Sequence, residues 1–310
     1  MPMYTYRNLL DELNFLSRCG GCKVGSLGVT RDDRTVPYIF IGKKTGPQII
    51  VTGGIHAREH ISSYLVMRQA EYALCRTQGT QGDGVVCHSV PSAQPEPTGF
   101  AHGGVYFVPM LNPDGNVIAE KGAAGILNPA HRELVRGILR GKDSALYKAN
   151  AAGVDLNVNF DAKWGTGRLN TRIPGTENYI GTAPFSEPET RALADFTHKL
   201  RPAATVSYHA IGRELYYEFG QTGDALARDL AIAEYLNERL GYKIVPDEGT
   251  SVGGYKDWCI RHFGIPSFTI ELGEHIHPHP LVDYSVAAED IARNLDLPER
   301  LLQAVIENKK

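Results

Sequence analysis

Short apolar runs alternate with segments of helical periodicity along most of the chain. The runs are six to eight residues long, rich in β-branched and aromatic side chains, and typical of strands buried on both faces. Between them, apolar residues recur at three- and four-residue spacing, as in amphipathic helices. The predicted strands are 36–42, 48–54, 104–111, 203–209, 214–219 and 266–272, and the predicted helices are 60–75, 186–200, 224–240 and 280–306.

This alternation predicts an α/β fold, with a mixed sheet between helices in a single domain that spans residues 1–310. Residues 76–103 are rich in Gly, Pro, Ser and Gln, which indicates a long surface excursion between two strands. In "SEPET", Ser186 is the predicted cap of a helix that has Pro188 in its first turn.

Composition excludes several classes of partner. The chain has 310 residues, 42% hydrophobic and 22% charged, with a net charge of −3. Such a chain has no basic excess to neutralise phosphates, so we expect no nucleic-acid partner. It contains neither a run of about 18 apolar residues nor a signal-like N-terminus, so we expect no membrane association and a cytoplasmic location.

The chain has five cysteines, and because this number is odd, at least one of them cannot form a disulfide within the chain. Two of them form the lone motif "CGGC" at 19–22. A redox or metal role is one interpretation of this motif. We favour the other, an ordinary pair of thiols in a glycine-rich turn.

The stretch "GGIHAREH", residues 53–60, places two histidines and a glutamate directly after an apolar run. One interpretation is the HxxEH signature, in which His56 and His60 bind metal from one helix. The other is HxxE, in which His56 and Glu59 bind metal from a turn at the end of a strand. His60 then begins the next helix. The position directly after a buried strand and two glycines favours the second interpretation.

A third ligand for the HxxE interpretation is available in "TVSYHAIG". His209 ends another predicted strand there, and the carboxyl ends of strands line the crevice of an open α/β sheet. Two imidazoles and one carboxylate, with a fourth position left for water, form a catalytic zinc set. The sequence therefore predicts one Zn²⁺ on His56, Glu59 and His209.

Six blocks of sequence together resemble the zinc carboxypeptidase A family. They occur in the family's order over about residues 36–300, which would be the catalytic core. The resemblance implies a mixed eight-stranded sheet sandwiched between helices and the activity of a zinc metallopeptidase on a peptide substrate. The blocks are "GGIHAREH", "PMLNPDGN", "GVDLNVNFD", "SYHAIG", "GGYKDW" and "FTIELG".

The resemblance also assigns roles to single residues. It places zinc on the same three ligands and makes Glu271, in "FTIELG", the general base and acid. Asp155 matches the residue that orients the first zinc histidine from behind. Arg58 and Asn157 match positions that contact substrate.

Three departures from the family pattern concern the substrate. The Asn-Arg pair that binds a terminal carboxylate is Asn157-Val158 here, so the guanidinium clamp is missing. Only Lys148 is available near the position of the oxyanion-stabilising arginine. A substrate-capping tyrosine is replaced by Gly249.

Lys256, in "GGYKDW", matches the floor of the pocket for the side chain after the scissile bond. A cation there predicts a substrate that bears a carboxylate and disfavours Lys or Arg side chains. Together with the missing clamp, it resembles the bacterial branch that cuts γ-D-glutamyl-diaminopimelate bonds of peptidoglycan stem peptides. Two alternatives stay open: a carboxypeptidase for acidic C-terminal residues and a zinc-dependent deacylase of N-acyl amino acids. We interpret three histidines of the following loop, His275, His277 and His279, as structural.

Overall fold

Eight strands pair into one mixed sheet in the computed structural model, which describes residues 3–78, 99–246, 249–281 and 283–307. The strands are β1 (Cys22–Val29), β2 (Thr35–Gly42), β3 (Gln48–Thr52), β4 (Gly104–Val108), β5 (Ala204–Ala210), β6 (Glu214–Tyr216), β7 (Lys243–Val245) and β8 (Ser267–Leu272). The helices are α1 (Tyr6–Leu16), α2 (His60–Gln78), α3 (Pro113–Lys121), α4 (Pro129–Leu139), α5 (Pro188–Leu200), α6 (Gly223–Leu240), α7 (Tyr255–Phe263), α8 (Ala288–Asn294) and α9 (Leu297–Glu307).

The strand order is β1-β2-β4-β3-β5-β8-β6-β7. The four central strands, β4, β3, β5 and β8, are parallel to one another, whereas β2 and β6 join them antiparallel. Every residue of β3, β4 and β5 is buried, which is the reason for their near-continuous apolar sequences. The predicted mixed eight-stranded α/β architecture is confirmed.

Helices cover both faces of the sheet. Ile49 and Val51 of β3 pack into a core with α1, α2, α6 and α9, whereas Ile50 faces the opposite core with α5 and α7. Alternate residues of one strand thus enter different cores. No helix among the described residues combines the length and the apolarity needed to cross a bilayer.

All six predicted strands are present, and three predicted helices lie close to their predicted bounds. The fourth, 280–306, is wrong as one element because it is divided into α8 and α9. The predicted cap Ser186 is also wrong: Glu187 occupies the N-cap of α5, and the Ser186 hydroxyl donates to the Glu187 carboxylate instead.

Two other sequence features have simple outcomes. Of the predicted excursion 76–103, residues 79–98 lie outside the described residues, and residues 76–78 end α2. Cys19 and Cys22 carry free thiols at the junction of α1 and β1, where the Cys22 thiol donates to the carbonyl of Leu16 at 3.3 Å.

Candidate active site

Two glycines let the chain turn from β3 into α2. A Cβ at Gly53 would lie 2.6 Å from the carbonyl oxygen of Ser62, and Gly54 has a φ of +60°. The Ser62 hydroxyl accepts a hydrogen bond from the Gly54 amide and donates one to the carbonyl of Glu59. This tight turn holds His56 and Glu59 at the carboxyl end of β3.

The structure brings His56, Glu59 and His209 together, and these three side chains are called the metal group below. Nδ1 of His56 lies 2.8 Å from Glu59 Oε1, and Nδ1 of His209 lies 3.1 Å from both His56 Nδ1 and Glu59 Oε2. His209 reaches this position because β5 is the parallel neighbour of β3 in the sheet. The HxxE interpretation with His209 as third ligand therefore describes the geometry.

The three side chains fit a zinc ion. Four ligands about 2.0–2.1 Å from zinc in a tetrahedron are separated by roughly 3.3 Å, close to the distances between these donors. All three residues are buried, at 1–5% exposure. Burial alone would raise the pKa of Glu59, but the two imidazoles hold that pKa well below its usual value, so the carboxyl is an anion ready to bind a cation.

Asp155 lies behind His56. Its Oδ1 is 3.3 Å from His56 Nε2, the ring nitrogen that faces away from the other two ligands. Burial would raise the pKa of Asp155, but Lys148 and His56 hold it below the ordinary value. The fixed anion can orient the imidazole and favour the tautomer that leaves Nδ1 free for metal.

Lys148 places a buried positive charge beside this group. Its ammonium lies 3.1 Å from Asp155 Oδ2, and its side chain is 17% exposed. Burial would lower the pKa of Lys148, but the carboxylates of Asp155 and Glu59 raise it. The side chain therefore stays a cation at the edge of the site, where the sequence predicted an oxyanion-stabilising role.

The other residues of "HAREH" point elsewhere. His60 is the first residue of α2, and its Nδ1 lies 2.6 Å from the hydroxyl of Tyr284, outside the metal group. Arg58 is 3.3 Å from the carboxylate of Glu177. Its guanidinium is thus ion-paired, with 19% of its side chain exposed.

Glu271 lies on β8 directly beside His209 of β5, its register partner. Its Oε2 is buried and has no hydrogen-bond partner among the described residues. Burial raises the pKa of its carboxyl to about 8. An unpartnered carboxyl next to a metal group is suited to accept and return a proton.

Two adjoining pockets open beside these residues, and they share the lining residues Asn157, Thr250 and Ser251. The smaller pocket, of 160 Å³, contains His56, Lys148 and Asp155 in its wall. The larger, of 440 Å³, is lined by Glu271 and Lys256. Asn157 thus lies at the junction between the two pockets.

Several pocket residues were not assigned to the site from the sequence. Arg168 lines the smaller pocket, and Glu214 and His275 line the larger one. His279 is partly buried, which lowers the pKa of its imidazole, and it is near enough to Glu59 and Arg58 for their charges to affect that pKa as well. Two of the three loop histidines, which were interpreted from the sequence as structural, thus lie near the site. None of these residues belongs to a motif, and tertiary folding of separate loops brings them there.

Comparison with known proteins gives the family. The model of the zinc carboxypeptidase family matches residues 13–293. The chain is 30% identical over 294 residues to gamma-D-glutamyl-L-diamino acid endopeptidase 1 of Lysinibacillus sphaericus, covering 93% of this chain and 70% of that protein. It is 25% identical to human mast cell carboxypeptidase A, over 79% of this chain and 56% of that protein.

Solved structures share the fold. Bovine thrombin-activatable fibrinolysis inhibitor, in complex with tick carboxypeptidase inhibitor, superposes with a TM-score of 0.75 at 18% identity, over 99% of this chain and 98% of that chain. Murein-tripeptide amidase of Escherichia coli O157 gives a TM-score of 0.53 at 20% identity, over 90% and 91%. This chain therefore belongs to the zinc carboxypeptidase family and is a zinc-dependent metallopeptidase.

Proposed function

We propose that this metallopeptidase hydrolyses the bond between γ-D-glutamate and a diamino acid in peptidoglycan stem peptides. The observation that carries the proposal is the charge of the 440 Å³ pocket beside Glu271. Carboxylate residues and lysines both line it, among them Glu214, Glu218, Asp257, Lys243 and Lys256. A side chain that ends in an ammonium, with or without a carboxylate, matches such a lining.

The surroundings of Lys256 correct the sequence-based expectation of a cationic pocket. Its ammonium lies 2.7 Å from Asp257 Oδ1 and donates to the carbonyl oxygen of Glu218 at 2.8 Å. Its charge is therefore compensated within the protein. It can still supply one hydrogen bond to a carboxylate, but it does not repel a cationic side chain as an unpaired lysine would.

Glu214 supplies the complementary anion. Its carboxylate accepts a hydrogen bond from the Tyr216 hydroxyl at 2.6 Å, and Lys243 is 3.5 Å away with a side chain that is 71% exposed. A solvated lysine screens this carboxylate only weakly. A diamino acid can bring its distal ammonium to Glu214, whereas Glu or Asp side chains would meet like charge. The pocket therefore favours the stem-peptide hypothesis over a carboxypeptidase for acidic residues.

The similarity to the Lysinibacillus endopeptidase supports the same substrate class. That relative's name specifies a γ-D-glutamyl bond to an L-diamino acid, and the match runs through 93% of this chain. At 30% identity, the relative's substrate class supports our proposal for this chain.

In the proposed reaction, His56, Glu59 and His209 hold the zinc ion. When bound, the ion supplies Lewis-acid chemistry, polarising the scissile carbonyl and making water a stronger nucleophile. Glu271 accepts a proton at its carboxylate and returns it to the leaving amine. The ammonium of Lys148 adds positive charge where negative charge develops on the carbonyl oxygen.

Substrate profiling by mass spectrometry tests the proposal. The zinc-loaded protein is incubated with L-Ala-γ-D-Glu-meso-diaminopimelate, with L-Ala-γ-D-Glu-L-Lys, and with α-linked peptides that end in Glu, Asp or Lys. We expect release of the diamino acid from the γ-linked peptides with a kcat/KM at least about tenfold above that for any α-linked peptide, a difference of about 1.4 kcal/mol. Cleavage confined to α-linked peptides, or to N-acetyl and N-succinyl amino acids in a parallel assay, would contradict it.

A further inference from the structure

Arg168 stands out among the basic residues that line the two pockets. The ammonium of Lys148 lies 3.1 Å from Asp155, that of Lys256 2.7 Å from Asp257, and that of Lys243 3.5 Å from Glu214. Among the residues that the structure describes, no carboxylate lies within 4.0 Å of the Arg168 guanidinium. In the smaller pocket, as far as the structure describes its lining, Arg168 is therefore the cation whose charge is left for an anion from outside the protein.

The remaining wall of the smaller pocket suits an anion as well. Its other polar lining includes the amide side chains of Asn157 and Asn170 and the hydroxyl residues Thr250 and Ser251. The described part of the pocket wall contains one carboxylate, that of Asp155. It already forms an ion pair with Lys148 and accepts hydrogen bonds from two backbone amides. Val158, also in the wall, supplies neither a charge nor a side-chain donor. A bound carboxylate would thus meet donors and one unpaired cation.

The loop that carries Arg168 is fastened to the site. The Arg168 amide donates to the carbonyl of Thr250 at 3.2 Å, and the Thr171 amide donates to the carbonyl of Asn178 at 2.9 Å. The Asn178 amide in turn donates to Asp155 Oδ2 at 3.1 Å. Because both ends of this short segment are tied to residues around the metal group, the backbone at Arg168 is held beside the smaller pocket, whose wall its exposed side chain joins.

The two pocket volumes indicate which part of a substrate each receives. The larger one, of 440 Å³, can take a long side chain, whereas the smaller one, of 160 Å³, has room for a small group such as a carboxylate with a few waters. A side chain and an α-carboxylate leave the same carbon atom. They must therefore occupy adjoining pockets, as these two are around Asn157.

We infer that Arg168 binds the free α-carboxylate of the residue that places its side chain in the larger pocket. A guanidinium can grip a carboxylate through two parallel hydrogen bonds, which a lysine cannot reproduce. The enzyme would then prefer substrates in which the residue after the scissile bond is the C-terminal one. This inference deepens the proposed function, although it applies to any peptide that the enzyme cleaves.

Two matched pairs of substrates test it. The first pair is L-Ala-γ-D-Glu-L-Lys and its C-terminal carboxamide, and the second is N-benzoyl-Gly-L-Lys and its carboxamide. The α-carboxylate of D-Glu is present in both members of the first pair, so its contribution cancels. A bidentate charged pair contributes about 1.5–3 kcal/mol, so the wild type should favour each acid over its amide by roughly 10- to 100-fold in kcat/KM.

Arg168→Ala should remove this preference by lowering kcat/KM for the acids, with the amides changed by less than about threefold. Arg168→Lys should restore part of it. Arg172→Ala is the matched control, because Arg172 lies in the same loop but stacks on Trp164 at 4.9 Å outside the pocket lining. The Arg172→Ala variant should keep the wild-type ratio of kcat/KM for the acid to kcat/KM for the amide.

Equal use of acid and amide by the wild type, or an unchanged preference in Arg168→Ala, would overturn the inference. Turnover of the benzoyl pair alone would refute the γ-glutamyl substrate but still measure the role of Arg168. Equilibrium binding of each pair to zinc-loaded Glu271→Gln, with and without Arg168→Ala, gives the same comparison without turnover. Loss of the acid preference in the double variant supports the inference, and its persistence refutes it.

Discussion

The metal group and the substrate pockets are built in different ways. His56, Glu59 and His209 are 1–5% exposed and lie at the ends of neighbouring central strands, where sheet pairing fixes their spacing. The pockets share His56 and Glu271 with this catalytic region, but much of their remaining lining comes from loops and from strands β6 and β7 at one edge of the sheet, where the Lys243 side chain is 71% exposed. The chemistry is thus fixed by the core, whereas specificity depends on peripheral segments that can change independently.

The strongest test of this division is Glu271→Gln, which changes a proton carrier without changing side-chain shape. We expect kcat to fall by at least about 100-fold, the usual scale for the loss of a general base. Zinc content, measured by metal analysis, should stay at one ion per chain. The control is Glu274→Gln, because Glu274 is close in sequence but pairs with Arg213. Unimpaired turnover in Glu271→Gln would remove this carboxyl from the chemistry.

A smaller effect is expected from Asp155→Asn, which removes the anion behind His56. Loss of such a partner typically weakens metal affinity by about 10- to 100-fold. Because Lys148 would keep its buried charge without its ion pair, the free energy of unfolding should also fall. Zinc affinity is measured by competition with a chelator and stability by denaturant titration. Wild-type zinc affinity in this variant would show that the contact with His56 does not tune the metal.

The smallest effect is expected from Lys256→Met, in the pocket rather than in the metal group. KM should rise by about fivefold to tenfold for substrates with a diaminopimelate side chain, which offers a carboxylate, and by less than about threefold for those with neutral side chains. Steady-state kinetics on both classes gives the values. Lys243→Met is the comparison, because Lys243 lines the same pocket with a far more exposed side chain. Equal KM changes for both substrate classes would exclude Lys256 from recognition of the carboxylate.

The sequence was sufficient to identify the central strands of the sheet. Strands β3, β4 and β5 are buried throughout, so their composition alone identified them, and the residues that follow β3 and end β5 were then obvious candidates for a shared site. Edge strand β1 was missed because most of its residues are only partly buried or exposed, so it has no apolar run. Helix α3 was missed because "NPDG", which looks like a turn, supplies its cap and its first residues.

The pockets were beyond the reach of sequence patterns for a physical reason. Whether a lysine or an arginine is available to a ligand depends on which carboxylates approach it in the folded protein, and sequence separation does not tell which ones do. Glu214, the neighbour of Lys243, is 29 residues away in sequence. The Asp257 carboxylate that compensates Lys256 is adjacent in sequence, yet a strand, a turn or a helix would each have placed it differently. Only folding distinguishes a paired cation from a free one.

The alignment of β5 with β8 carries a last consequence. His209 and Glu271 face each other across hydrogen-bonded strands, and side chains alternate between the two faces at every residue. Sliding either strand by a single position would send one of them through to the opposite side of the sheet. Correct pairing of two backbones during folding is thus the step at which the enzyme gains or loses its ability to do chemistry.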